Sequence, residues 1–172
     1  MTRDAVLATV CSASVASVSD RTVVVRTVAD ILEAEFHNVI EEWLVRVEKD
    51  PELMSVPMNR EDRTGHVLHL LHDVTARLRR EAETKIPISK AAAEHGNLRH
   101  RQGYTVAMAV QESRLLEVSI FTMLHQNVKQ LEFSTLLPDV VTIADEVDAQ
   151  LKHQMLQFMA EDATAKDQAI RK

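Results

Sequence analysis

Histidine, arginine and glutamate fall at helical spacing in one stretch of this 172-residue chain. His95 and Arg99 are four residues apart and so share a helix face, flanked by Ala92 and Gln102. Glu112 and Arg114 follow on a second run of helix formers. Pairing of Glu112 and Arg114 with His95 and Arg99 would make a buried polar network between two helices. Such a network either holds two arrangements and passes a change between them, or fixes the register of the helices it joins. Two of the chain's three glycines lie here. Gly96 sits inside a helical run, where glycine costs ~1 kcal/mol against alanine, and close approach of another helix backbone would offset that cost. Gly103 fits a helix C-terminus, where a left-handed residue lets the chain turn.

Other groupings have weaker chemistry. His66, His69 and His72 are spaced by three, which sets His66 and His72 about 240° apart on a helix and prevents one tridentate metal site. Glu33, His37 and Glu41 line one face, but no two helices carry the Glu-x-x-His pair of a di-iron bundle, so a solvated charged face is the better account. Haem could take His95, His125 or a histidine of the second helix as axial ligand, against a core poor in aromatics. The string from His95 to Arg99 faintly echoes a phosphoacceptor histidine but lacks its following acidic residue and proline, and no ATP-binding half accompanies it. No nucleophile elbow, phosphate-binding glycine loop or Cys-His pairing occurs, so no catalysis is expected.

The elements that must position these residues read as helices. Val28, Leu32, Phe36, Val39, Trp43 and Val47 form one amphipathic stripe, capped by Thr27 with Asp30 three residues on. A second helix follows Asn59, with Val67, Leu70, Leu71, Val74 and Leu78 inward. A third starts at Ser89 and runs to about Gln102. A fourth carries Val106, Val110, Leu116, Ile120, Met123 and Leu124. The fifth opens at Pro138, with Val140, Ala144, Val147, Leu151, Met155 and Phe158 inward. Methionines near the last two stripes can fill gaps or adapt to a partner. The expected architecture is all-α: a five-helix antiparallel bundle, or a globin-like arrangement of the same elements. Residues 1–26 lack a helical period and read as a flexible or loosely packed N-terminal extension, ahead of a helical domain over 27–160. Residues 161–172 stay helix-compatible without an apolar face, as a helix does on leaving a domain.

Composition sets bounds on partners. Hydrophobic residues are 45% and charged residues 27% of the chain, which is globular. A net charge of -6 offers no excess to neutralise phosphates, so nucleic acid is not an expected partner. Cys11 stands alone, which excludes an internal disulfide and, with no apolar run near ~18 residues, suggests a cytoplasmic protein without a membrane span. The mildly apolar stretch from Ala5 to Val18 has only Arg3 as a basic flank and is a poor secretory leader.

The residues His95, Gly96, Arg99, Gln102, Gly103, Tyr104, Glu112, Arg114 and Leu116 resemble the N-terminal sensor domain of RsbR-type (RsbRD-like) co-antagonists of the bacterial stressosome. Similar domains precede histidine kinases. The likeness runs from about Ala29 to about Met159, and Ser113 stands where that pattern has a bulkier residue. The resemblance implies a non-catalytic, cofactor-free helical sensor, homodimeric, passing helix repacking to an output module or to a partner such as a kinase or anti-sigma-type switch. The alternative reading is a globin-like haem or small-molecule binder.

Overall fold

The computed structural model describes residues 25–80 and 89–170, with side chains through Thr164. The expected N-terminal extension, Val25 and Arg26 apart, lies outside the described residues. Among them the fold is all-helical, and β pairing is limited to a bridge between Arg26 and Leu131.

Helix α1 (Val28–Ala34) starts where Thr27 accepts the Asp30 N–H at 3.2 Å. The first expected helix is divided: Glu35, at φ -105° and ψ 8°, separates α1 from α2 (Phe36–Glu48). Both keep the stripe inward, and Val28, Leu32, Val39, Trp43 and Val47 are buried. The connection after Asp50 holds one more helical turn, α3 (Pro51–Met54), with Asp50 accepting the N–H groups of Glu52 and Leu53. Asn59 caps α4 (Arg60–Thr64) as its side-chain chemistry dictates, accepting the Asp62 N–H at 2.7 Å. A turn at Gly65 and His66 then separates α4 from α5 (Val67–Leu78). Arg79 just beyond α5 reaches back to Asp30 and Glu33 on α1.

Ser89 caps α6 (Lys90–Arg101), and Thr105 caps α7 (Val106–Gln126). Along α7 the inward residues at the start are Met108 and Ala109; Val106 and Val110, expected inside, are exposed. A 3-10 turn (Val128–Gln130) leads into α8 (Phe133–Ile170). That helix begins five residues before the expected start, and Pro138 lies inside it. As the sixth residue of α8, Pro138 removes one intrahelical bond and crowds the Ser134 carbonyl. Its inward line is Ile143, Glu146, Val147, Gln150, Gln154 and Phe158. The expected stripe therefore shares only Val147 and Phe158 with the buried face, and Val140, Ala144, Leu151 and Met155 lie along its edge. At ~1.5 Å per residue the 38 residues of α8 span about 57 Å, longer than any other element. No described helix is long and apolar enough to cross a membrane. One apolar core joins α1, α2, α5 and α7, and α8 closes it from the side that also receives α6.

Candidate functional site

Helix α6 ends in a way that aims its polar residues. Gly103 sits at φ 87°, the left-handed region, where a Cβ would be strained. The Tyr104 N–H donates to the Arg99 carbonyl and the Gly103 N–H to the His100 carbonyl, both at 3.0 Å. This pair of bonds closes the helix and turns the chain sharply into α7. The turn drops Tyr104 inside and brings Glu112, two turns into α7, opposite His95 and Arg99.

Glu112 is the centre of the site. Its Oε2 lies 3.1 Å from His95 Nε2 and accepts Arg99 Nε–H at 2.9 Å. Its Oε1 is 2.8 Å from Arg99 Nη2 and accepts the Tyr104 hydroxyl at 3.2 Å. Arg99 thus grips the carboxylate with two nitrogens, the strong form of this pairing. The cluster is buried: His95 is 2%, Arg99 1%, Glu112 4% and Tyr104 4% exposed. Burial would raise the Glu112 pKa, but the His95 hydrogen bond and the Arg99 charge outweigh it and hold the carboxyl down to about 2. Burial and the facing Glu112 charge push the Tyr104 hydroxyl up to about 12, so it remains a donor.

The second half of the cluster comes from the α3–α4 region. Arg63 is buried and donates to the Leu53 and Val56 carbonyls, closing off the end of α3, and to the Tyr104 oxygen at 3.2 Å. Arg99 donates in turn to the Arg63 carbonyl at 2.7 Å and to Gln102 Oε1 at 2.8 Å. The Arg99 guanidinium also sits 5.0 Å from the Tyr104 ring centre. Trp43 of α2 donates its indole N–H to the Glu112 carbonyl at 3.3 Å. Four regions of the chain therefore meet around Glu112, two of them at its carboxylate.

Gly96 extends this arrangement to α8. A Cβ built there would lie 2.6 Å from the Gln154 carbonyl oxygen and 2.8 Å from its Cα. The two helix backbones touch, and only glycine permits it. Between them, His95, Glu112, Ser113, Gln150 and Gln154 line a cavity of about 10 Å³, room for one water. The small Ser113 side chain contributes to that space. His95 Nδ1 is buried without a protein partner.

The other expected residues are dispersed. Arg114 is exposed, because two residues from Glu112 on a helix is ~200° of rotation, and it takes no part in the cluster. Arg63 and Tyr104 fill the place foreseen for it. The spacing of Arg63 with Val67, Leu70 and Val74 does put it on the inward stripe, so its burial was readable from periodicity. Among the second-helix histidines, His72 packs edge-on to Phe36 at 4.9 Å while His66 turns toward His95, with ring centres 6.0 Å apart. They diverge. His125 is exposed. Glu41 pairs with Arg60 on the surface.

Comparison with protein families, characterised proteins and solved structures finds no match for this chain.

Proposed function

We propose that the chain is a non-catalytic sensory or regulatory domain, of the bacterial stress-response or two-component kind, that passes a change in helix packing along α8. The observation that carries this reading is the joint at α6. One face of that helix is held to Glu112 by His95 and Arg99, and Gly96 on the same helix lies backbone to backbone against Gln154 of α8. A shift of α6 toward α8 would displace α8, since the contact at Gly96 leaves no space between the two backbones. Buried ionic clusters also lend themselves to discrete alternatives, because an intermediate geometry strands a charge in the interior. The continuation of α8 to Ile170 gives such a displacement a path toward an output module or a partner protein in the cytoplasm. The resemblance to RsbR-type sensor domains supports the same reading from the sequence side.

The globin-like haem reading has less support. His95 is engaged by Glu112, and the space beside it accommodates one water rather than a macrocycle. An absorption spectrum of chain reconstituted with hemin distinguishes the two: a Soret band abolished by a single His→Ala change would favour haem binding.

The functional test is differential capture. Immobilised wild-type chain and its Glu112→Gln variant are each exposed to lysate of the source cells. The reading expects a regulatory protein whose retention differs between the two. Retention of the same proteins in the same amounts would count against it.

A further inference from the structure

The inward face of α8 is polar where a bundle helix is ordinarily apolar. Glu146, Gln150 and Gln154 recur at steps of four among Ile143, Val147 and Phe158, and all three are buried. Gln150 fastens this line to its neighbour. Its amide nitrogen donates to the Leu70 carbonyl of α5 at 3.1 Å and to Glu146 Oε1 at 3.2 Å, so both of its hydrogens are engaged. One side chain thus joins α8 to α5 and to the carboxyl one turn before it.

Glu146 differs from Glu112 in what surrounds it. Glu112 is buried with Arg99 gripping both oxygens, whereas Glu146, also 4% exposed, has no ion pair among the described residues. The Gln150 amide is its one hydrogen-bond donor among them. Its neighbours one turn away on α8 are Thr142, Ile143, Ala149 and Gln150, all uncharged. From α5 come Asp73, which accepts the Ser89 hydroxyl at 2.6 Å, and Arg77, with Arg80 just beyond the helix end. No group of α6 or α7 is paired to Glu146 among the described residues. A buried carboxyl without a counter-ion favours its protonated form. Burial and the Asp73 charge push Glu146 up from its ordinary 4.5, against the pull of Gln150, Arg77 and Arg80. Arg77 offers a second arrangement. Its Nε–H is buried without a partner, one turn beyond Asp73, so an ionised Glu146 is drawn toward it and away from Gln150.

We propose that Glu146 is a proton-binding site that fastens α8 to α5: protonated, it stays with Gln150 in the seam, and ionised, it turns toward Arg77 and loosens the seam. The proposal rests on the packing of α5 against α8 and does not depend on the signalling reading of the Glu112 cluster. Its sign is opposite to that of Glu112. A carboxyl whose pKa is raised on folding holds its proton more tightly in the folded chain, so its contribution to stability is complete below about pH 4.5 and is lost as pH rises through the raised value.

Titration of the full chain, followed by carbon-13 NMR of the glutamate carboxyls, tests it. Loss of one signal in Glu146→Gln assigns the group. The Glu146 midpoint is expected above 4.5, and higher still in Arg77→Gln, which removes the opposing cation. Glutamine copies the protonated carboxyl, so Glu146→Gln is expected to unfold at higher urea than wild type at about pH 7, the two converging by about pH 4. Amide exchange at about pH 7 is expected to slow in this variant at residues 70–74 of α5 and 146–150 of α8, ahead of the other helices. A Glu146 midpoint at or below 4.5 would overturn the proposal, as would a variant no more stable than wild type at about pH 7, or a difference that persists on acidification. A midpoint that does not rise in Arg77→Gln would overturn the turn toward Arg77.

Discussion

At the scale of single residues, Glu112 carries the greatest consequence. Glu112→Gln removes the charge while keeping the shape, leaving Arg99 buried without its counter-ion, a change that costs about 3–5 kcal/mol when one member of a buried pair is lost. Urea unfolding at neutral pH measures it. The pH dependence follows from the lowered pKa. Glu112 titrates at about 2 in the folded chain, below its ordinary 4.5, so the ionised form favours folding. Its stabilisation is complete above about pH 4.5 and fades as pH falls through the interval down to about 2. The stability gap between wild type and Glu112→Gln is therefore expected to narrow between pH 6 and pH 3; a gap of constant size would show that the carboxylate charge is not what the variant removes. The sequence disclosed His95 and Arg99 through their spacing, and Glu112 as a candidate partner on the next helix. It did not disclose that Glu112 answers both, nor that Tyr104 and Arg63 complete the cluster, because those contacts depend on how Gly103 redirects the chain and on the packing of the short turn α3. Arg114 shows the opposite failure: adjacency to Glu112 in sequence suggested partnership, while helical rotation sends it to the far side.

At the scale of elements, the glycines separate two physical effects. Gly96→Ala improves helix propensity by ~1 kcal/mol, and at an exposed site would stabilise the chain. Here the new Cβ meets α8 backbone that has no rotamer to yield, so a net loss of about 1–3 kcal/mol is expected, as for an overpacked core. Gly103→Ala meets open space and costs only its left-handed backbone, about 1–2 kcal/mol, most of which asparagine should recover. Thermal unfolding of the three variants checks both. If Gly96→Ala proved stabilising, the backbone contact between α6 and α8 would be wrong. Helix existence was legible from apolar period, and the caps at Thr27, Asn59 and Ser89 sit where side-chain chemistry put them. Boundaries fared worse where two faces of a helix are both apolar. In α8 the outward line of Leu137 and Val141 competes with the inward line of Ile143 and Val147, so period alone could not choose the buried side.

At the scale of the whole molecule, α8 is both a wall of the bundle and its exit. Phe158 is its last buried apolar residue, packed against His100 at 4.7 Å, and Asp162 to Thr164 are exposed. Removing residues 165–172 is thus expected to change unfolding free energy by no more than about 0.5 kcal/mol, the range of surface changes, which urea titration of the shortened chain resolves. A larger loss would mean the distal helix is integral to the domain rather than a conduit from it. The claim on which everything else rests is that the Glu112 cluster holds α6 and α8 in register. Amide hydrogen exchange of wild type and Glu112→Gln, compared peptide by peptide, tests this most directly. The account predicts lost protection in α6 and in the part of α8 facing it, around Glu146 to Phe158, while the core of α1, α2 and α5 around Val39 and Leu71 keeps its protection. A uniform loss over all helices, or no loss in α8, would contradict it.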